Sequence, residues 1–356
     1  MHTAGEGRAR RWLASNGFLG VLLGLSSVQD LQTVAVGGLD PSWKAAIHIA
    51  ARGGRNHGSD LLFTYGPLGF LTEPVLCYPS TVLLSMAYSL AVQILFAILL
   101  VKVLRRKIPL PLALVIAFLL TQTARSVGAD IVATVSVFLL CIELLRGERT
   151  LRSQLWLVRV TGLIGGLHLL VKVSTGLAMA AMFGVVCLLS RDRRVLAEAA
   201  GAIGSGLIGG WLLSGNHLAD LPAFVLGSAQ LASGYSEAMG LEDPRFKGDY
   251  LVAAYDVALI CFLAWSATRD WRAGRRLGAW IILFILLFSS FKQGFVRHDG
   301  HQLAFFFTEI AALGAFVEHR VEKFVFLARI AASVVLLLVS GAYVALNPLP
   351  PVAEAW

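Results

Sequence analysis

Charge is scarce in this chain. Asp, Glu, Lys and Arg make up 15% of its 356 residues, while 57% are hydrophobic. The mean hydropathy of +0.73 lies far above that of a water-soluble domain. Cysteine is scarce too. Cys77, Cys141, Cys187 and Cys261 stand singly in or near apolar runs, with no CxxC pair, which excludes a disulfide framework of the secreted kind. They are expected to be reduced and buried. There is no P-loop, HExxH, GxSxG or EF-hand loop. The literal GxGxxG from Gly204 to Gly209 lies inside an apolar run with no preceding strand, so its glycines read as small residues for close helix packing rather than a dinucleotide cradle. No repeat, low-complexity tract or soluble domain is visible.

What the chain has in abundance is long apolar runs. Stretches of about 18 residues or more recur, the length that crosses a bilayer as a helix. The runs are continuous rather than alternating, which favours helices over a β-barrel. The expected fold is an all-α, polytopic transmembrane helix bundle over residues 1–356, a single domain with eleven spans. These lie at about 14–36, 79–101, 108–124, 129–145, 155–171, 174–190, 196–214, 250–267, 277–291, 302–318 and 329–346. The start, "RARRWLASNGFLGVLLGLSSV", resembles a signal peptide in its basic flank, but no small-x-small cleavage site follows, and an uncleaved first span is favoured.

The net charge of +8 does not point to nucleic acid, because the basic residues sit in short loops between spans. With the N-terminus in the cytoplasm, twenty of the 30 Lys and Arg residues fall in cytoplasmic segments and nine outside; Arg159 lies within a span. Every cytoplasmic loop is basic, as the positive-inside rule requires. The outer face then carries the chemical variety. It holds a loop at 37–78, a loop at 215–249, and the stretch "KQGFVRHDGH" at 292–301.

In the first loop, Asp40-Pro41 reads as a helix start, with Asp40 at the N-cap. Trp43, Ala46, Ile47 and Ala50 follow at helical spacing, giving a short amphipathic helix over 42–52 at the membrane surface. "FTYGPLGF" reads as a second interfacial segment containing Tyr65. Asp40 is either a plain cap or a carboxylate at the membrane surface, able to serve as a general base or a metal ligand.

In "KQGFVRHDGH", Lys292 and Arg297 stand beside the start of the tenth span, where helix amides and a guanidinium both favour phosphate oxygens. The alternative is snorkelling of both cations at the interface. Asp299 and Gln302 fit a capping box. His298 and His301 are three apart, one metal-ligand spacing. Arg125 with Asp130, and Lys172 with His168 one turn below, mark two further outer turns at the same level. Several cations there fit a clamp on a lipid phosphate or pyrophosphate. Asp30, Asp256 and Glu309 are ionisable groups within spans, where a partner or a cavity is expected.

A first span, an outer loop with an acid near its start, interfacial helices and ten more spans together resemble the GT-C superfamily of membrane glycosyltransferases. The likeness is one of topology across nearly the whole chain. It implies a polyprenyl-phosphate sugar donor, an extracytoplasmic glycan, lipid or protein acceptor, transfer with inversion, and a bacterial plasma membrane setting. It further implies Asp40 as the catalytic residue. The donor-phosphate contacts fall on Lys292 and Arg297, joined by His298, His301, Lys172, Arg125 and Tyr65. It leaves a divalent metal (Mg or Mn) open, with Asp40 as its ligand. Many members show paired acids in this loop, whereas "GLDPSW" has Asp40 alone. Three other readings stand beside it: a lipid-linked glycan polymerase or ligase working through Arg and His, a transporter using the intramembrane acids, and a non-catalytic component of envelope assembly.

Overall fold

The computed structural model describes residues 15–29, 31, 39–106, 108–147, 150–190, 192–240, 248–296, 301–316 and 327. Among these residues the chain is all-α, with no strand. The helices are α1 (Asn16–Leu25), α2 (Leu39–Arg52), α3 (Pro79–Leu104), α4 (Leu110–Ala124), α5 (Ala129–Arg146), α6 (Leu151–Val171) and α7 (Val173–Leu189). They continue as α8 (Arg193–Leu213, with a π-helical turn at Ser205–Gly209), α9 (Leu221–Met239), α10 (Gly248–Thr268), α11 (Ala273–Phe295) and α12 (Gln302–Phe316).

α3, α6, α8, α10 and α11 are long and apolar enough to cross a membrane. α4, α7 and α12 are apolar helices at expected span positions, but with 15 to 17 residues they rise only about 23–26 Å, less than the roughly 30 Å of hydrocarbon. The expected eleventh span, 329–346, lies outside the described residues. The first is shorter than 14–36: α1 ends at Leu25. There Ser26 Oγ and Ser27 Oγ donate back to Leu23 O and Gly24 O, the local bonding by which serine competes with helix continuation. The segment 215–249 is also more than a loop, since α9 occupies much of it.

α5 is the axis of the bundle. Every residue from Ala129 to Leu145 is buried, against α3, α6, α7, α11 and α12. A helix apolar on all sides belongs in such a place. Two glycines with positive φ, Gly128 (+89°) and Gly147 (+72°), turn the chain at its ends. Only the ends of α5 carry charge. Near its last turn, buried Glu143 accepts from Lys102 at 2.8 Å and Arg106 at 2.6 Å, while Arg146 donates to Ala315 O at 2.8 Å. The starts of α1 and α11 and the ends of α3, α5 and α12 therefore meet at one basic end. Arg159 of α6 finds Glu198 of α8 in a two-pronged pair at 2.5–2.6 Å.

The helices approach closely where glycine permits. A Cβ on Gly20 or Gly24 of α1 would strike the backbone of Ile98 or Ile94 on α3. On α6, Gly166 lies against Ile203 O, and on α8, Gly206 lies against Leu163 O. The glycine-rich stretch around 204–209 thus packs helices together, as its sequence context implies.

At the opposite end the two long connecting segments fold over the bundle. α2 buries Ala45, Ile47, His48 and Ala50, whereas Ala46 faces out. The buried face is thus rotated from the expected Trp43–Ala46–Ile47–Ala50 stripe, because α2 packs on the start of α3 and a 3₁₀ turn at Gly69–Thr72. His57 N–H donates to Asn216 Oδ1 at 2.7 Å, and Gly58 (φ +101°) lies against Asp220 and Phe224 of the second segment. Phe224, Trp211 and Leu170 form a small separate core beneath them.

The Gly166 seam should be intolerant of added bulk. Gly166→Val is expected to destabilise the protein by about 1–3 kcal/mol through overpacking. Gly184→Ala, on α7 with nothing within 4 Å of its Cβ position, should be neutral or stabilising by up to about 1 kcal/mol. Thermal unfolding of the detergent-solubilised variants checks both; equal melting temperatures for the pair would contradict the packing account.

Candidate functional site at the loop end

The site is built on Asp130, the second residue of α5. It is 5% exposed, so it requires a partner. Lys172, at the junction of α6 and α7, supplies one: its Nζ donates to Asp130 Oδ2 at 2.9 Å. Gln293 Nε2 of α11 donates to the same oxygen at 3.2 Å. The α5 N-terminus adds a favourable dipole for the carboxylate. One turn below Lys172, buried His168 bonds to two groups. Its Nδ1 lies 3.3 Å from Ile164 O, which only accepts, so Nδ1 carries the proton. Nε2 then accepts from the Tyr88 hydroxyl at 3.0 Å.

The "FTYGPLGF" segment is not a surface strip but reaches down to this ion pair. Tyr65 forms an isolated β-bridge with Lys172. Gly66 N–H and Leu68 N–H donate to Val171 O and Leu170 O at 3.1 and 2.9 Å. Gly66 is required there because a Cβ would collide with Leu170 O. Lys172 Nζ stands 5.1 Å above the Tyr65 ring, within cation–π range. Burial holds the Tyr65 phenol protonated, far above its usual range, with Lys172 pulling the other way.

Trp43 of α2 stacks on Tyr65, with ring centroids 4.7 Å apart and planes 19° apart, and Phe63 lies 5.9 Å from Tyr65. The Trp43 indole N–H donates to Asp40 Oδ1 at 3.0 Å. α2 begins at Leu39, so Asp40 lies in its first turn rather than ahead of it as an N-cap. The carboxylate is half-buried and held by the platform beneath it. A second acid, Glu73, pairs with Lys44 at 2.9 Å, and burial pushes its carboxyl up against that pull. His48 Nε2 donates to Glu73 O at 2.6 Å and its Nδ1 accepts from Thr81 Oγ1 at 2.7 Å. Burial pulls the His48 pKa below its ordinary value.

Of the residues expected at the site, Tyr65, Lys172 and Asp40 come together through Trp43. Lys292 is exposed on the last turns of α11, next to Gln293. His301 is exposed at the entry to α12. Arg125 sits in the α4–α5 turn, with Nη1 3.5 Å from Gln122 Oε1. Arg297, His298 and Asp299 lie outside the described residues, as does Asp30. Asp256 and Glu309 are fully buried in α10 and α12, which pack together. Glu73, Gln293, Tyr88 and the Trp43 platform are the residues that sequence reasoning missed. Among the described residues no three His, Cys, Asp or Glu side chains cluster as a metal site.

The arrangement offers a half-exposed carboxylate, an aromatic surface suited to the face of a ring, and a buried ion pair that fixes both. Comparison with protein families, curated proteins and solved structures returned no match.

Removing one partner of the ion pair should cost far more than removing both. Lys172→Met is expected to destabilise by about 3–5 kcal/mol, and adding Asp130→Asn should restore more than half of that. A double variant as unstable as the single one would show that the pair is not the anchor. His48 gives a pH test. Its folded-state pKa lies below the unfolded value, so the folded state binds the proton more weakly. Stability is then full above pH 6.5 and falls as the pH drops below it. The melting temperature should decline as the pH falls below 6.5, and His48→Gln should flatten that decline. Identical profiles for the two proteins would contradict the assignment.

Proposed function

We propose that this chain is an eleven-span integral membrane glycosyltransferase of GT-C type in the bacterial plasma membrane. Its N-terminus is cytoplasmic and its loop end faces outward. It transfers a sugar from a polyprenyl-phosphate donor to an extracytoplasmic acceptor, with inversion. The observation that carries the reading is a continuous track of contacts from Asp40 through Trp43, Tyr65, Lys172 and Asp130 to Gln293, beside Lys292. It runs from the acid of the first outer loop to Gln293 of α11, some 250 residues away in sequence. The alternation of basic and loop-bearing helix ends supports the orientation.

In this reading the donor enters from the bilayer, and its phosphate meets Lys292 and Arg297. Lys172, held by Asp130, positions Tyr65 rather than serving as a clamp. The Trp43–Phe63–Tyr65 surface receives the sugar ring. The acceptor hydroxyl attacks the anomeric carbon while its proton passes to the Asp40 carboxylate. The bond from that carbon to the phosphate oxygen breaks, and the electron pair leaves on the lipid phosphate. Cations at the leaving phosphate stabilise the developing charge. Proton removal by Asp40 contributes about 10²–10⁴-fold. A transporter reading draws support from one observation, the complete burial of Asp256 and Glu309 on adjacent helices.

With purified protein and a panel of polyprenyl-phosphate sugars, Asp40→Asn is expected to lower transfer by about 10²-fold or more while polyprenyl-phosphate binding stays near wild type. Transfer that survives the substitution points to the polymerase or ligase reading. No transfer by wild type, together with ion-gradient-driven flux lost in Glu309→Gln, points to the transporter.

A further inference from the structure

At the end of the bundle opposite Tyr65, the start of α1 and the last turns of α3 border an open, shallow cleft of about 530 Å³. It is lined by Ser15, Asn16, Lys102, Arg105 and Arg106. Lys102, Arg105 and Arg106 stand at i, i+3 and i+4, so one side of the helix end presents all three cations. Lys102 and Arg106 both pair with the Glu143 carboxylate. Both remain partly open, with side chains 28% and 31% exposed. Arg105 is held beside them, its Nη1 donating to Asn16 Oδ1 at 2.6 Å. The amide end of α1 opens into the same cleft, with Ser15 capping Phe18 N at 3.2 Å. Positive dipole, guanidinium and ammonium groups thus border one shallow surface. Such a surface complements a phosphate oxyanion.

Two sources could deliver that oxyanion, a lipid headgroup or free phosphate. The surroundings favour the lipid. The neighbouring faces of α1 and α4 expose Leu22 and Val115, at 49% and 55%, as hydrocarbon against which acyl chains can lie. A free phosphate has no use for that surface. We infer that this cleft binds the phosphodiester headgroup of an anionic phospholipid, at the level where the helices leave the membrane. On the orientation proposed above, it faces the leaflet richest in anionic lipid. The inference does not depend on the transferase reading, since it concerns the other end of the molecule. Its effect is to fix α1 against α3 and set the depth of the bundle in the bilayer.

Native mass spectrometry of the delipidated, detergent-solubilised full chain tests this. The protein is offered phosphatidylglycerol with a tenfold excess of phosphatidylcholine, with and without millimolar inorganic phosphate. Wild type is expected to retain one phosphatidylglycerol, unaffected by inorganic phosphate. Asn16→Asp keeps the size of the side chain and its acceptor for Arg105 but places an anion in the cleft, and it should retain at least fivefold less. Arg105→Gln should behave the same way, and Arg105→Lys should hold most of the wild-type level. Arg152→Gln removes an exposed cation from the start of α6 and should change nothing. Displacement of the lipid by inorganic phosphate would overturn the lipid assignment in favour of a soluble phosphate. Unchanged retention in Asn16→Asp, or an equal loss in Arg152→Gln, would overturn the site itself. Monodisperse elution of Asn16→Asp and Arg105→Lys keeps the result independent of folding defects.

Discussion

The buried ion pair between Asp130 and Lys172 constrains the loop end of this protein more than any other contact. α5 is enclosed on all sides, so a carboxylate on its first turn is tolerable only with a cation delivered to it and its other oxygen sites satisfied. Lys172 delivers the charge from the sharp junction between α6 and α7, where the chain leaves helical geometry for one residue and the preceding Val171 and Leu170 carbonyls accept from Gly66 and Leu68. An isolated β-bridge joins Lys172 to Tyr65, and the Lys172 ammonium stands over the Tyr65 ring. One lysine therefore ties the central helix, a helix junction and the first connecting segment together. Trp43 and Asp40 are positioned as a consequence, since they rest on Tyr65.

The two ends of α5 pose opposite electrostatic problems. Asp130 sits at the N-terminal end, where the helix dipole favours an anion, and one lysine and one amide suffice for it. Glu143 sits near the C-terminal end, where the dipole opposes it, and it draws both Lys102 and Arg106. The same end gathers the excess positive charge of the connecting turns. The uneven supply of cations along the chain is thus a tertiary feature as well as a topological one. At one end a buried ion pair frames the candidate site; at the other Lys102 and Arg106 gather on Glu143, with Arg105 beside them.

Much of the architecture was legible in the sequence because lipid imposes so simple a rule. Apolar runs of the right length marked the positions of nearly all the helices, and glycine in an apolar run marked close packing. The limits of that reading are equally physical. Hydropathy cannot see that Ser26 and Ser27 end α1, because their effect is a local hydrogen bond. It cannot foresee α9, whose buried stripe of Phe224, Gly227 and Ser228 is short and polar in part. At the site, Asp130 and Lys172 were visible as members of two separate turns, but their pairing spans 42 residues and required the helix packing to be known. Trp43 was read as a membrane-facing residue and proved to be the link between Asp40 and Tyr65. Glu73 and Gln293 carry no motif at all; their roles come from burial.

The central proposal is that a lipid phosphate docks at the loop end, on the side of the Asp130–Lys172 ion pair. The most direct measurement is equilibrium binding of polyprenyl phosphate to the purified protein, for wild type and for Arg297→Ala. The account predicts saturable binding by wild type and at least a tenfold loss in the variant, the scale of about 1.4 kcal/mol or more expected for a charge-assisted contact. Absence of binding by wild type, or equal binding by the two proteins, would contradict it.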